Sequence, residues 1–422
     1  MRPALRKGIL VAIIRGLGAL IMLLGTFIVA KLLGANDFGV FSLGLTVITI
    51  MSTVSRFGLD FVVLKNVAIN HEVNPEVSQG YYLSSIAFLT FIGLVLTILF
   101  IIFSDIIANH IFSEPSLGKV LRILAISIVP ISVVYVTAEY LKAIGKQSIS
   151  SVFQGLMVPL IFLMLCIVIF FENKVALDNI AFSYTVSTIA TGIMVYFVWK
   201  KSKINLKSET FHWKQLAING WPFFVVGSSA LLMSWTDILV LGIFSTSESV
   251  GVYSLAAKIV LAINFILIIV NSINAPRFAK LYSEGKIDEI KLIVRKTSYV
   301  LIFFSIIIGL VISLYSEWII GSFGDDYSLG SIILIILVIG QVINVSCGSV
   351  SVLLAVTNHE KKLSHIFMIT ALINLTISVS LVNTFGVIGV AIATLLCQII
   401  WNVWSMVEVR NKLGFWTISF SN

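Results

Sequence analysis

The stretch ILVAIIRGLGALIMLLGTFIVAKLL, residues 9–33, carries only two charges, Arg15 and Lys31, in 25 positions. A helix needs roughly 20 apolar residues to cross about 30 Å of hydrocarbon, so this stretch is long enough to span a bilayer. It is too long for the apolar segment of a secretory signal and no small-residue cleavage site follows it, so it is expected to stay in the protein as a span. Similar runs recur along the chain, centred roughly at residues 20, 50, 91, 131, 160, 189, 230, 262, 306, 342, 373 and 397. Over 422 residues, 58% are hydrophobic and 11% charged, and the mean hydropathy is +1.06. A soluble domain carries roughly a quarter charged residues, so lipid is the main solvent here. The expected fold is an all-α polytopic membrane protein of about 12 transmembrane helices.

The connections alternate in charge. One side of the membrane collects 21 basic residues, in clusters such as Arg2, Arg6, Lys7, the linker lysines Lys200 to Lys214, the segment Arg277 to Lys296, and Arg410 with Lys412. The other side has four, Lys31, Lys119, Arg122 and Lys174, beside acids such as Asp105, Glu172, Asp178, Glu317, Asp325 and Asp326. A miscounted span would mix the two sets. By the positive-inside rule both termini are expected in the cytoplasm. The formal net charge of +8 is then an orientation signal that suits anionic membrane lipids and needs no nucleic-acid partner. Cys166, Cys347 and Cys397 lie in apolar runs without metal-ligand spacing, so neither a disulfide framework nor a metal or other cofactor is expected.

Two segments repeat at one offset. Phe38-Gly39-Val40-Phe41-Ser42-Leu43 matches Val250-Gly251-Val252-Tyr253-Ser254-Leu255, 212 residues on, and Leu141 to Lys146 faces Leu353 to Asn358 at the same offset. Two six-helix halves are expected, residues 1–199 and 215–422, joined by a cytoplasmic linker at 200–214. An even number of spans in each half relates the two by a pseudo-two-fold axis along the membrane normal, with substrate sites between them.

Ionisable groups inside spans mark candidate sites, because each costs roughly 2.5–3.5 kcal/mol on insertion scales unless it meets a partner or a wet cavity. They are Arg15, Arg56, Asp60, Glu139, Asp237 and Lys258. Ser42, Thr46, Thr49, Thr53, Arg56 and Asp60 follow helical steps and form one polar stripe in the second span. Asn264 and Asn271 continue a looser polar side from Ser254 and Lys258, and Gln341, Asn344, Ser351, Asn374 and Ser378 extend it into later spans. Two readings stand for Arg56 and Asp60: a neutralising i, i+4 pair, or a wet cavity wall. Arg15 and Lys258 have no local partner and point to a cavity that receives an anion. Asp60 and Asp237 are the candidates for H+ or Na+ coupling. Pro130, Pro159 and Pro222 inside spans are expected to bend them. No GxxxxGK[ST] or HExxH occurs and no large extramembrane domain is present, so the chain is not expected to be an enzyme.

Three stretches resemble the polysaccharide-transport branch of the multidrug/oligosaccharidyl-lipid/polysaccharide exporter superfamily. They are Leu32 to Phe41, similar to that family's loop after span 1; Asp237 to Gly242 with Val250 to Tyr253, similar to its junction of spans 7 and 8; and Asn274 to Tyr282 with Gly285-Lys286, similar to its Pro-initiated cytoplasmic segment. Length and span number look most like O-antigen flippases. The resemblance implies a V-shaped pair of bundles around a cavity lined by spans 1, 2, 7 and 8, in a bacterial inner membrane. It implies a lipid-linked oligosaccharide substrate on undecaprenyl pyrophosphate, bound through Arg15, Arg56 and Lys258, with Ser42, Thr46, Thr49, Thr53, Asn264 and Asn344 lining the cavity. A polysaccharide polymerase complex would then be a partner. A drug/cation antiporter of the same superfamily and a membrane polysaccharide polymerase are the rival readings.

Overall fold

In the computed structural model residues 2–202 and 210–418 are described; Lys203 and Lys207 of the expected linker fall outside them, as do the side chains of Arg2, Arg6 and Lys7. Helices account for nearly all of the described chain. Lipid offers no hydrogen-bond partners, and a helix satisfies every backbone group within its own segment.

The helices are α1 (Arg2–Arg56), α2 (Leu59–Asn70), α3 (Pro75–Ile106), α4 (Pro115–Ala125), α5 (Ile128–Ala143), α6 (Gln147–Gly155), α7 (Met157–Phe171) and α8 (Leu177–Lys200). There follow α9 (Trp213–Phe244), α10 (Ser247–Ser283), α11 (Ile287–Leu314), α12 (Ser316–Gly321), α13 (Gly330–Ser346), α14 (Val350–Val356) and α15 (Glu360–Leu413). Starts carry the expected signals: Pro75 and Pro115 open α3 and α4, and the Thr246 hydroxyl accepts the Ser249 amide at 3.2 Å before α10.

Seven helices among the described residues are long and apolar enough to cross a membrane, and three bent pairs raise the number to ten. Two of the bends, α4 to α5 and α13 to α14, are 45° and 44°. α1 and α15 each hold two crossings: at 55 and 54 residues they would run about 80 Å at ~1.5 Å per residue, and each breaks at a glycine. Gly34 sits at φ 74° and Gly386 at φ 56°, conformations open to glycine at little cost. Counting those two twice gives the twelve spans read from the sequence. The expected loop after span 1 is thus reduced to a break at Gly34.

Two compact units are present, one of Met1–Leu33 with Val40–Ser228 and the other of Gly34–Gly39 with Ser229–Asn422. Both turn the soluble pattern inside out. On α3, Phe91, Leu94, Ile98 and Ile102 are exposed while Ser78, Ser85 and Thr97 are buried; on α11, Phe303, Ile307 and Leu310 are exposed while Ser298 and Ser305 are buried. Small hydroxyls inside let helices approach closely and bond across, as when Ser55 Oγ donates to the Leu89 carbonyl at 2.9 Å. Apolar clusters close parts of each unit, one around Tyr82, Tyr140 and Trp199 in the first and one around Phe278, Val294, Leu353 and Phe415 in the second. In the first unit Lys119 pairs with Asp178, Arg122 with Asp105, and Lys174 with Glu172, so three of the four bases on the acid-rich side are neutralised locally.

The internal repeat has a physical counterpart in the second unit. A Cβ on Gly39 would strike the Ser247 carbonyl and the Gly251 amide, and a Cβ on Gly251 would strike the Ala35 carbonyl and crowd the Gly39 amide. Positions 247 and 251 follow 35 and 39 by the same 212 residues, so within the second unit the contact is reciprocal. The weaker match is structural too. Span 4 ends with the Lys146 amide donating to the Leu141 carbonyl at 2.9 Å, and span 10 ends with His359 donating to Leu354 at 2.9 Å, one residue out of register.

Gly39→Leu or Gly251→Leu should destabilise the purified protein by about 1–3 kcal/mol or more, because backbone atoms leave no room. Gly16→Ala, where nothing lies within 4 Å, should be neutral or slightly stabilising. Thermal melting in detergent reads both; equal melting of all three variants would refute the crossing.

Candidate functional site

In the first unit the polar stripe runs down the second half of α1. Thr46 donates to the Ser42 carbonyl at 2.8 Å, Thr49 to Leu45 at 2.7 Å and Thr53 to Thr49 at 2.9 Å. These hydroxyl protons are used on the helix itself, which leaves oxygen lone pairs for other donors. The stripe is not one straight helix. Phe57 at φ 48° and Gly58 at φ 76° end α1 and start α2, so Asp60 lies in a new first turn. The break fits against α9, where a Cβ on Gly58 would meet the Gly220 carbonyl and the Phe224 amide, and the Phe57 ring stacks on Phe224 at 5.2 Å between centroids.

Arg56 occupies the last turn of α1, where helix carbonyls favour a cation. Its Nε donates to the Ser52 carbonyl at 3.2 Å and an Nη to Thr53 Oγ1 at 2.9 Å, and the guanidinium lies 4.3 Å from the centre of the Tyr135 ring. Asp60 Oδ2 is 3.6 Å from the other Nη. The neutralising pair therefore forms across the helix break. Glu139 of α5 accepts from Lys142 at 3.0 Å and from Gln154 at 2.8 Å. Arg15, by contrast, is exposed on the first half of α1 and makes no hydrogen bond or ion pair with the described residues.

The second unit holds Asp237 in a constructed setting. It is 4% exposed on α9, Tyr253 Oη donates to its Oδ2 at 2.6 Å, and Asn374 Nδ2 donates to its Oδ1 at 2.8 Å. Tyr253 Oη also lies 3.1 Å from Thr394 Oγ1. Four groups from α9, α10 and both halves of α15 thus converge, and no cation among the described residues pairs with the carboxylate. An unpaired acid in this setting is costly, so it needs a proton or a small cation when the lobe is dry. Lys258, half-buried on α10, has no partner among the described residues. Asn344 accepts from Asn402 at 3.3 Å, and Asn264 is half-buried on α10.

The structure brings Arg56 and Asp60 together with Thr53, and surrounds Asp237 with groups the sequence reading did not assign to it. Tyr253 was visible as a repeat position, where it stands for Phe41, and as the end of the stretch resembling the junction of spans 7 and 8, but not as a partner of Asp237. Thr394, Gln398, Asn402 and Ser405 follow helical steps of four, four and three on α15, a stripe as legible as that of the second span. The repeat-related place in the first unit is aromatic. Gly25, Phe41 and Phe162 stand 212 residues before Asp237, Tyr253 and Asn374, and the Phe41 and Phe162 rings stack at 5.9 Å.

The family described as "Polysaccharide biosynthesis protein" matches residues 4–282, and the MatE family matches residues 222–380. A relative from Haloferax volcanii, named "Probable low-salt glycan biosynthesis flippase Agl15", is 25% identical over 387 residues, covering 90% of this chain and 78% of its own. Among solved structures, "Lipid II flippase MurJ, inward closed conformation" superposes with a TM-score of 0.80 at 18% identity over 95% of this chain and 87% of that one. An inward-facing multidrug resistance MATE family transporter does so with 0.78 at 13% identity over 96% and 98%. These two share the fold; the match over residues 4–282 covers well over half of the sequence, and the chain belongs to the polysaccharide biosynthesis protein family, within the polysaccharide-transport branch of the superfamily that also contains the multidrug exporters.

Proposed function

We propose that the protein is a flippase, a transporter rather than an enzyme, that moves a lipid-linked oligosaccharide across its membrane by alternating access. The observation that carries this reading is the pair of uncompensated cations, Arg15 and Lys258, in membrane helices of a chain whose relative is named a glycan biosynthesis flippase. Intramembrane cations without a counter-ion attract an anionic substrate group. A guanidinium adds bidentate hydrogen bonds suited to phosphate oxygens. Arg56 is held by Ser52, Thr53, Tyr135 and Asp60, so it engages a pyrophosphate by exchanging the 3.6 Å Asp60 contact. Ser42, Thr46, Thr49, Thr53, Asn264 and Asn344 offer neutral oxygens and amides for sugar hydroxyls.

At finer resolution, the substrate is a surface-polysaccharide repeat unit of the O-antigen kind on undecaprenyl pyrophosphate. The membrane is the bacterial inner membrane with both termini in the cytoplasm, and a polysaccharide polymerase receives the product. The basic asymmetry of the connections supports the orientation. Asp237, with no cationic partner, is the stronger candidate for H+ or Na+ coupling, and Asp60, tied to Arg56, the weaker. The match to the MatE family over residues 222–380 favours one alternative, a drug/cation antiporter using Asp237.

Arg15→Ala and Lys258→Ala should each lower flipping of a fluorescent lipid-linked oligosaccharide in proteoliposomes at least tenfold, about 1.4 kcal/mol, with the protein still folded. Wild-type rates in both variants would refute the assignment, and transport of organic cations instead would establish the antiporter. Arg56→Ala should cost about 3 kcal/mol of stability by leaving Asp60 unpaired, and Arg56→Ala with Asp60→Ala should recover most of it in thermal melts. Asp237→Asn should remove any dependence of flipping on an imposed Na+ or H+ gradient; flipping by the intact chain that ignores both gradients would remove the coupling proposal.

A further inference from the structure

In the first unit α5 is packed by α2, α3, α6 and α8, and Tyr135 is the one exposed residue along its length, at 37%. Glu139 and Lys142 follow it at helical steps of four and three, so the open side of α5 is a polar strip. The end of α1 lies against this strip. The Arg56 guanidinium covers the Tyr135 ring at 4.3 Å, Ser132 Oγ donates to the Ser52 carbonyl at 3.1 Å, and Asp60 sits 3.6 Å beyond Arg56. Gln154 of α6 reaches the same strip by donating to Glu139 Oε1 at 2.8 Å. The open faces of α3 and α11 carry large apolar side chains, as lipid requires. An opening rimmed by two acids, two bases and an amide is not one that hydrocarbon fills, so it is turned to water.

The groups in this opening are held in place and keep polar function to spare. Arg56 fixes the Tyr135 ring, whose hydroxyl bonds none of the described residues. Lys142 reaches both Glu139 oxygens, at 3.4 and 3.0 Å, and Gln154 takes a second place on Oε1, so Oε2 retains a lone pair. An exposed ring edged by oriented acceptors is complementary to a pyranose. The C–H face of the sugar packs on the ring, and its hydroxyls donate to the carboxylate. Charge narrows the choice further. Arg56 and Lys142 already face Asp60 and Glu139, so a uronic acid would set its carboxylate beside two others with no free cation, whereas an uncharged sugar meets no such repulsion.

We infer that Tyr135 and Glu139, with Gln154 behind them, form a subsite for the sugar bonded directly to the pyrophosphate, and that this subsite selects an uncharged hexopyranose, N-acetylated or not, over a hexuronic acid. The inference rests on the reading of Arg56 as a pyrophosphate ligand: an anion held by a guanidinium 4.3 Å from the ring brings the attached sugar against Tyr135 and Glu139. It goes beyond that reading by assigning the choice of sugar to side chains of α5 and α6. Tyr135 and Glu139 would touch the sugar, and Gln154 positions Glu139.

The test is the Kd of the full chain in detergent for three lipids: undecaprenyl pyrophosphate alone, the same lipid carrying one hexose, and the same lipid carrying one hexuronic acid. The intact protein should bind the hexosyl lipid about tenfold or more tighter than either of the others. Tyr135→Leu should bring the hexosyl lipid down to the level of the sugar-free one, whose affinity stays unchanged, while Tyr135→Phe, which keeps the ring, should retain most of the preference. Glu139→Gln tests the subsite independently of the ring, and should remove the discrimination against the uronic acid. If the intact chain binds all three lipids equally, or if Tyr135→Leu weakens all three alike, the subsite is overturned while pyrophosphate binding at Arg56 stands. If the intact chain binds none of them, the reading of Arg56 falls and the subsite falls with it.

Discussion

The reciprocal approach of Gly39 and Gly251 is the contact that ties part of the first helix into the second unit. Each glycine admits a carbonyl of the facing segment, from Ser247 and from Ala35, at a separation that any side chain would prevent. The segment Gly34–Gly39 therefore belongs by packing to the second unit although its helix continues into the first. Gly34 makes this placement possible, since its positive φ redirects α1 without a loop.

Lipid imposes the second constraint. Because hydrocarbon rewards neither burial of apolar surface nor exposure of polar groups, specificity inside each unit comes from hydroxyls, amides and the few charges. In the first unit threonines bond their own helix, Ser55 and Tyr82 bond across helices, and the Arg56–Asp60 and Lys142–Glu139 pairs neutralise charge, while Arg15 stays uncompensated. In the second a single carboxylate, Asp237, is held by neutral donors from two other helices.

Much of this was legible in the sequence because the signals are periodic or compositional. Apolar runs of about 20 residues gave the spans, and the 212-residue offset located the glycines that meet. What stayed hidden is non-local or conformational. Nothing in Phe57-Gly58 announces a break, since phenylalanine rarely adopts a positive φ and is held there by stacking on Phe224, more than 160 positions away. The Asp237 cluster draws on four helical segments, and spacing along one helix cannot report that. The stripe on α15 follows the same periodicity as the one on α1, but it lacks charge and so did not draw attention.

Phe41 and Phe162 stack where Tyr253 and Asn374 grip a carboxylate, and Gly25 stands where Asp237 does. A chain born by duplication of one ancestral half begins with two equal sets of such positions. At this locus they have diverged, one set to an aromatic stack and the other to a hydrogen-bonded acid. The carboxylate with its hydrogen-bond donors therefore has no counterpart at the matching positions of the first half, where rings replace the groups that hold it.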